Sequence, residues 1–549
     1  MTWFRSTAIA AALAALCALP LSRLVLAAQA GTAVLSGTVT ADHGPVVAFR
    51  VKARDVAHRI SYTVFTQRGR YTFQSLPAGH YEVAIVEEGF EAAPQAVDLA
   101  PGARATVNVS ARWTNPAPAR TAVEFDELYP PGPARDTIIR ACFGCHGAGD
   151  GTGGKDAGFH MHVPKDERGW RNAVGRMFQS GAISYGNWGE SRHQAYITDE
   201  TVSAPQREEI VRYFAAHFGP GSKPRTLKRD PLVRDESALG EALYTQYELL
   251  PGYGIHDIFP SRAMPGWVWT SMTPGVIVGT DTRNPDFPGR IRSYAIPDPA
   301  GKVLSHGIIE ERGRVYWTEI AGNHIGELDP GTGTVTRHRV PVNGGWQHTL
   351  RADTKGNIWV SYMSGTNKIA KLDTVTKQVT EIPGVKASNS YGLIVDKKDR
   401  VWLSVVSNKA VPVYDSRTGR WAVHETSNST RRPTVDSRGH IWAAQYFGNA
   451  ITELDPDTGR VTDYALPLKY GDPYDVVADP KDALWIENTL YNALVRFDRG
   501  TKAFTYVPFP VLKGHTPKLE SDDDGTIWFG MSSQLTSLRM HGNVPPAGR

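Results

Sequence analysis

Cysteine is scarce in this chain, with three residues among 549. So few thiols exclude a fold that is held together by many disulfide bonds. An excess of charge of one sign is also missing, because 60 Lys and Arg residues face 56 Asp and Glu residues. This balance argues against a nucleic-acid binder that depends on bulk positive charge. The hydrophobic fraction of 41% nevertheless supports packed cores.

Long hydrophobic runs are absent except at the N-terminus. There Arg5 precedes an apolar run over residues 6–21, and small residues follow it. This order is typical of a secretory signal peptide over residues 1–30 and predicts a periplasmic protein. A lipoprotein anchor at Cys17 is the alternative, but Leu16 is large for the position before a lipidated cysteine. No later run reaches the about 18 residues of a membrane span, so we expect no membrane span.

Residues 31–112 carry the alternating apolar pattern of short strands between turn signals. An aromatic strand at 69–73 is followed by the sequence LPAGHY at 76–81. These motifs resemble the carboxypeptidase regulatory-like (transthyretin-like) β-sandwich family. The resemblance implies an interaction or spacer module and says little about chemistry.

Residues 121–222 change to the apolar spacing of helices, over 133–145, after Asp166 and over 205–218. Within them lies the sequence CFGCH at 142–146. Cys142 and Cys145 can form two thioether bonds to haem vinyl groups, and His146 can reach the iron as the proximal ligand.

Two other uses of the thiol pair are less consistent with the sequence. A zinc half-site would need two further ligands of matching type, and a thioredoxin-like redox pair would need a βαβ context. We therefore expect one covalent haem c. The flanking segments resemble a class I cytochrome c, which implies an α-helical cytochrome c domain over residues 121–222.

The distal ligand of this haem is predicted from the sequence WRNAVGRM at 170–177. It resembles the Trp-x-x-x-Val-x-x-Met helix of periplasmic cytochromes that are fused to dehydrogenases. The resemblance implies Met177 as the distal ligand, which favours electron transfer. The alternatives are Met161, His160, His162 and His193, and Met177 also suits simple core packing.

From about residue 240 to 541 the sequence repeats. A tryptophan recurs at intervals of 40 to 50 residues, at Trp267, Trp317, Trp359, Trp402, Trp442, Trp485 and Trp528. A period of this length with four short strands is typical of a β-propeller, here with seven blades. The last repeat lacks its final strand, and residues 243–251 match it. We expect the ring to close through them.

The repeat aligns the blades with one another. Eleven residues before the successive tryptophans stand His256, His306, His348, Tyr391, Arg431, Tyr474 and Pro517, and two residues after them stand Trp269, Glu319, Ser361, Ser404, Ala444, Glu487 and Gly530. Both positions are expected at one mouth of the central channel, where convergent polar groups are typical of a ligand site.

We expect His256, His306 and His348 to bind a divalent metal or a substrate. The catalytic candidates are His306, His348, Glu319 and Glu487, with either glutamate as base or ligand. His515 is a further candidate. The alternative is that these side chains only line a watery channel.

The propeller resembles virginiamycin B (streptogramin) lyase and its relatives through SHGI at 305–308, YWTE at 316–319 and GNHIG at 322–326. The resemblance implies a magnesium-dependent, non-redox lyase with a Glu-x-His pair after the blade tryptophan. That histidine is missing after both Glu319 and Glu487.

Together these features predict a multidomain chain with an all-β sandwich, an α-helical cytochrome c domain and a seven-bladed β-propeller. The predicted function is that of a haem c electron-transfer protein or oxidoreductase. Its propeller would bind a small organic substrate or a redox partner protein. A metal-dependent, lyase-like enzyme with an accessory haem and a binding module without turnover are the alternatives.

Overall fold

The computed structural model describes residues 31–114, 121–142, 164–179, 202–223, 225–298, 303–320, 322–341, 346–363, 367–384, 390–406, 408–446 and 448–540. The predicted signal peptide lies outside them, as do Cys145, His146, Met161, His160, His162 and His193. None of the described helices is long and apolar enough to cross a bilayer. The chain divides into two compact units, and residues 236–244 belong with the N-terminal one.

The N-terminal unit is a β-sandwich. Its strands are β1 (Thr32–Ala41), β2 (Arg50–Asp55), β3 (Ile60–Phe65), β4 (Arg70–Pro77), β5 (Gly79–Ile85), β6 (Phe90–Glu91), β7 (Gln95–Leu99), β8 (Arg104–Thr106) and β9 (Val109–Trp113). One sheet has the order β4-β1-β9-β6, and the other contains β3-β2-β5-β7. Because side chains alternate along each strand, Leu35, Val51, Phe73 and Tyr81 meet in the buried core.

The second unit begins with a small, mostly helical segment. It contains β10 (Thr121–Val123), α1 (Phe125–Leu128), α2 (Arg135–Ala141), α3 (Glu167–Gln179), α4 (Ala204–His217) and β11 (Arg225–Leu227). The Ser203 and Gln206 side chains form a capping box that begins α4. One core unites these elements through Ile138, Trp170 and Phe214, as the helical spacing predicts.

The predicted fold class is wrong about a sizeable α-helical cytochrome c domain. The described residues hold five short helices, of which α4 is the longest with 14 residues and α5 (Glu236–Leu239) belongs to the other unit. The core of the helical segment also includes Tyr470 and Leu490 of the propeller. The helical periodicity correctly predicts helices, but among the described residues they form only a small part of a β-rich unit.

The rest of the second unit is a ring of seven four-stranded blades. The closing strand β12 (Leu243–Glu248) precedes it. Blade 1 contains β13 (Gly254–Pro260), β14 (Trp267–Thr273), β15 (Val276–Asp281) and β16 (Ile291–Ala295); blade 2 contains β17 (Ser305–Glu311), β18 (Arg314–Glu319), β19 (His324–Asp329) and β20 (Thr334–Arg339); blade 3 contains β21 (Gln347–Ala352), β22 (Ile358–Tyr362), β23 (Lys368–Leu372) and β24 (Val379–Pro383); blade 4 contains β25 (Ser390–Val395), β26 (Arg400–Val405), β27 (Ala410–Asp415) and β28 (Arg420–Glu425).

The remaining three blades follow the same plan. Blade 5 contains β29 (Pro433–Val435), β30 (Ile441–Gln445), β31 (Ala450–Leu454) and β32 (Val461–Ala465); blade 6 contains β33 (Pro473–Ala478), β34 (Leu484–Asn488), β35 (Ala493–Phe497) and β36 (Phe504–Pro508); blade 7 contains β37 (Leu519–Ser521), β38 (Ile527–Met531), β39 (Gln534–Arg539) and β12.

In each of blades 3 to 7, a hydrogen bond joins the recurring tryptophan to the aspartate of the preceding turn. In blade 3 a carboxylate oxygen of Asp353 accepts from the indole N–H of Trp359 at 2.9 Å, and the other accepts from backbone amides of its own turn. The same bond recurs from Trp402 to Asp396, Trp442 to Asp436, Trp485 to Asp479 and Trp528 to Asp522. These aspartates therefore have a structural role.

The ring closes through the predicted strand. β12 lies beside β39, where Gln246 donates to the Gln534 side chain at 2.7 Å. Just beyond β12, the amide of Leu249 donates to the carbonyl of Ser533 at 3.0 Å. The innermost strands β13 and β37 also contact each other. The pairing covers two sheet edges that would otherwise be open.

We expect Tyr247→Ala to destabilise the propeller by about 3 kcal/mol, because truncating a buried aromatic side chain leaves a cavity. Tyr247 is buried on the closing strand, between the Arg290 guanidinium and the Trp528 ring. Calorimetric unfolding of the full chain measures the effect. Tyr253→Ala, at a half-buried tyrosine in the following turn, is the control. Equal unfolding temperatures of the two variants would contradict a stabilising role of the closing strand.

Candidate functional site

Seven side chains, one from each blade, surround one mouth of the central channel. We call them the mouth ring: His256, His306, His348, Tyr391, Arg431, Tyr474 and His515. Six of them stand at the predicted repeat position, at or next to the start of an innermost strand, and His515 replaces Pro517 in blade 7. The ring centroids of His256 and His306 are 3.6 Å apart, and those of His306 and His348 are 4.0 Å apart. The structure thus brings the three predicted histidines together.

Each of these histidines is oriented by a bond at Nδ1. His256 Nδ1 lies 2.8 Å from the Asp257 carboxylate, and His306 Nδ1 lies 3.2 Å from the carbonyl of His348. His348 Nδ1 lies 3.0 Å from the hydroxyl of Thr349, which itself donates to the carbonyl of Tyr391. The carboxylate and the carbonyl can only accept, and the Thr349 hydroxyl accepts when its proton is donated to Tyr391. With these bonds Nδ1 carries the proton and Nε2 carries the lone pair of each neutral ring.

Two of the three histidines are held neutral. Burial lowers the pKa of His306 well below its usual value, and the neighbouring His256 and His348 lower it further. Burial likewise lowers the pKa of His348, helped by the positive charge of Arg432. A neutral imidazole with a fixed Nδ1–H is the form that binds a metal ion through Nε2.

Buried ion pairs cross the channel beside the mouth ring. Arg432 of blade 5 donates two hydrogen bonds of 3.0 Å to Asp257 of blade 1, and both side chains are at most 3% exposed. Although burial alone would raise it, the Arg432 guanidinium holds the pKa of Asp257 well below its usual value.

A second network joins blades 3, 6 and 7. Lys518 lies 3.1 Å from both Asp475 and Glu520, and Glu520 accepts from Arg351 at 2.7 Å. With the Asp257–Arg432 pair this makes three cations and three carboxylates. The three positive and three negative side chains therefore balance one another beside the mouth ring.

The opposite side of the mouth is rich in donors. The hydroxyls of Tyr391 and Tyr474 hydrogen-bond to each other. The Arg431 guanidinium lies over three tyrosine rings, 5.0 Å from the centroid of Tyr391, 4.0 Å from Tyr446 and 4.4 Å from Tyr474. Such cation–π contacts stabilise a buried guanidinium.

Glu487 lies at the mouth as predicted from the repeat. Its buried carboxylate accepts from the hydroxyl of Thr489 at 2.9 Å and lies 3.1 Å from Nδ1 of His515. Burial raises the pKa of the Glu487 carboxyl, although His515 opposes the rise. The imidazole missing from the sequence after Glu487 is thus supplied by the next blade. A carboxyl with a raised pKa beside an imidazole is suited to proton transfer.

Glu319 is not brought to the mouth. Tyr316, not Trp317, pairs with the inner strand of blade 2 in the way that Trp359 pairs in blade 3. The repeat position predicted from Trp317 is therefore wrong by one residue, and a shift of one residue turns a side chain to the other face of a strand. Both carboxylate oxygens of Glu319 accept from Arg337 at 2.6–3.1 Å.

Two groups of potential metal ligands occur in the described part of the chain. One contains His256, Asp257 and His306 at the mouth, and the other contains Asp436, His440 and Glu453. Asp436 belongs to the recurring turn and already accepts from Trp442, while His440 pairs with Glu453 at 2.7 Å. The second group is accounted for by the blade framework. The first group does not include His348, and its Asp257 carboxylate also pairs with Arg432.

The haem-attachment motif is described only at Cys142, which follows α2, is half-buried and packs against the core of the helical segment. Met177 lies in α3, on which Trp170 and Val174 face the same core, but its side chain is not among those described. The distal-ligand assignment therefore stays a prediction.

Comparison with known proteins supports the two β-rich parts. The carboxypeptidase regulatory-like domain model matches residues 34–112. A solved streptogramin B lyase is 20% identical, covers 55% of this chain and 99% of its own, and has a TM-score of 0.50. A virginiamycin B lyase from Staphylococcus aureus is 20% identical, covers 55% of this chain and 100% of its own, and has a TM-score of 0.49.

Among curated proteins, the pentonolactonase XacC of Haloferax volcanii is 24% identical over 28% of this chain and 70% of its own length. At these identities the structural likeness concerns the fold. Residues 34–112 are therefore a carboxypeptidase regulatory-like domain, and the second unit contains a β-propeller of the virginiamycin B lyase fold.

Proposed function

We propose that the mouth ring is the active site of an enzyme that acts on a small organic molecule with the help of a divalent transition metal. The observation that carries the proposal is the common orientation of His256, His306 and His348, whose Nδ1–H groups are all engaged and whose Nε2 lone pairs remain. Imidazole ligands favour zinc and its neighbours over magnesium.

The surroundings of these histidines support the same chemistry. A metal at the mouth would polarise a carbonyl or ester oxygen of the substrate. Glu487 of blade 6 and His515 of blade 7 form a proton-transfer pair at the same mouth. The pentonolactonase name favours a lactone or similar ester as the reacting group, and the streptogramin B lyase name is consistent with chemistry that needs no electron transfer.

A metal-depletion experiment tests this function. Protein treated with a chelator and dialysed should have no hydrolytic activity on a panel of pentonolactones, and one equivalent of Zn²⁺ should restore it. The reaction is followed by acid release at constant pH. Activity that is the same with and without metal, or that survives His348→Ala, would contradict the proposal.

Electron transfer is the second candidate function, and the CFGCH sequence at 142–146 favours it. We propose one haem c held by Cys142 and Cys145, with His146 as the proximal and Met177 as the distal ligand. The apolar core beside Cys142 is a suitable contact for a porphyrin edge. A bound haem would supply a one-electron couple, and a redox partner protein would then exchange electrons with it.

Extraction with acidified organic solvent should leave the haem on the denatured wild-type chain, because thioether bonds survive it. The Cys142→Ala/Cys145→Ala protein should release any haem that it binds. Absorbance of the protein and solvent fractions gives the result. Release from the wild-type chain, or a chain purified from a haem-maturing periplasm without iron, would rule out the covalent haem.

A further inference from the structure

The Tyr391–Tyr474 pair has a hydrogen-bond donor to spare. A tyrosine hydroxyl carries one proton, so the pair carries two, and the bond between the two oxygens uses one of them. Within the described part of the chain neither hydroxyl has another hydrogen-bond partner. The second proton is therefore available to an acceptor that enters the mouth.

The position of the pair and the positive charge of Arg431 beside it both favour such an acceptor. Tyr391 and Tyr474 come from blades 4 and 6 and meet across blade 5, where the Arg431 guanidinium covers both rings. Burial raises the pKa of Tyr474 well above its usual value, so its hydroxyl keeps its proton at neutral pH. This corner presents O–H groups and a positive charge, whereas the ring of His348 lies 4.1 Å from that of Tyr391 on the histidine side.

We infer that the Tyr391–Tyr474 pair is a specificity-determining subsite that binds a carboxylate or developing carboxylate oxygen of the substrate. The inference rests on the proposed function and deepens it. The lactone carbonyl that a metal at the histidines would polarise becomes a carboxylate, and the tyrosine pair would donate to the second oxygen of that carboxylate. An O–H donor to an anionic oxygen is stronger than a neutral hydrogen bond, and Arg431 adds long-range attraction. An uncharged hydroxyl ligand would gain much less from the same corner.

The test uses metal-free protein, so that it does not depend on the histidine site. The probe is pentonate, the ring-opened acid of a pentonolactone, and the matched ligand is the pentitol, which lacks only the carboxylate. Isothermal titration measures both affinities. We expect the wild-type protein to bind pentonate at least about tenfold more tightly than pentitol, since hydrogen bonds to charged groups are the stronger ones.

Substitutions then locate the subsite. Tyr391→Phe and Tyr474→Phe each leave one hydroxyl that donates to the ligand, so each should weaken pentonate binding only a few-fold. The double variant loses both donors and should weaken it by about 10- to 100-fold, with pentitol binding unchanged. Tyr446→Phe is the control, because its ring also lies under Arg431 but its hydroxyl is outside the pair.

Equal pentonate affinity of the double variant and the wild type would overturn the subsite, as would equal binding of pentonate and pentitol by the wild type. The unfolding temperature of each variant is measured beside the titration, and the single variants keep the test valid if the double variant does not fold. Zinc binding by the wild-type protein is measured in a separate titration. Failure to bind zinc would contradict the metal site but not the carboxylate subsite.

Discussion

The zinc affinity of the His306→Ala protein should fall by at least about 100-fold, because the substitution removes the central one of three closely packed imidazoles. His306 is buried, and its ring lies against both His256 and His348. Competition with a chromophoric chelator in metal-free protein measures the affinity. Without Nε2 of His306, two histidines remain at the mouth, and a zinc site of three imidazoles can no longer form.

The matched control is His440→Ala, which removes the histidine of the other group of potential ligands. It should leave the zinc affinity within about threefold of the wild-type value, since His440 belongs to the blade framework. If His440→Ala abolishes binding and His306→Ala does not, the metal site lies at Asp436 and Glu453 and the mouth is a channel lining.

Breaking the cross-channel ion pair should have the largest effect on stability. Arg432→Met leaves the Asp257 carboxylate buried without its guanidinium, and a buried charge that has lost its partner costs about 3–5 kcal/mol. Asp257 is 3% exposed, so water cannot replace the lost bonds cheaply. The unfolding transition of the propeller, measured by calorimetry, should therefore move to a clearly lower temperature.

In the double variant Arg432→Met/Asp257→Asn, the unpaired buried charge is also removed. The side-chain amide oxygen at position 257 can still accept from His256. It should recover most of the lost stability, since replacing both partners of a buried pair is often close to neutral. A double variant as unstable as the single one would mean that packing of the Arg432 side chain, and not the ion pair, holds these blades together.

The repeat made most of the propeller predictable from the sequence. His256, His306 and His348 each stand eleven residues before a repeat tryptophan, and their rings do lie together. The anchor that pairs with the inner strand is nevertheless Trp269 in blade 1 and Tyr316 in blade 2. The same count misplaces Glu319, since blade 2 carries its aromatic anchor at Tyr316 and a slip of one residue reverses the face. Local spacing alone does not reveal such a slip.

Other parts of the site depend on contacts between distant residues. Asp257 and Arg432 are 175 positions apart and meet only when the ring is closed. The bond between His515 and Glu487 joins neighbouring blades, and no motif of one blade encodes it. In the same way, helical spacing around Cys142 predicts α2 but does not reveal that the core beside it includes Tyr470 and Leu490 of the propeller.

X-ray absorption at the zinc edge of protein loaded with one equivalent of Zn²⁺ tests the central claim most directly. If the mouth ring is the metal site, the first shell contains imidazole nitrogens at about 2.0–2.1 Å, and their outer-shell scattering falls in His306→Ala. A first shell with sulfur at about 2.3 Å would place the metal at Cys142 and Cys145, and an all-oxygen shell would place it on surface carboxylates. Either result would contradict the assignment of the propeller mouth as a metal-assisted active site.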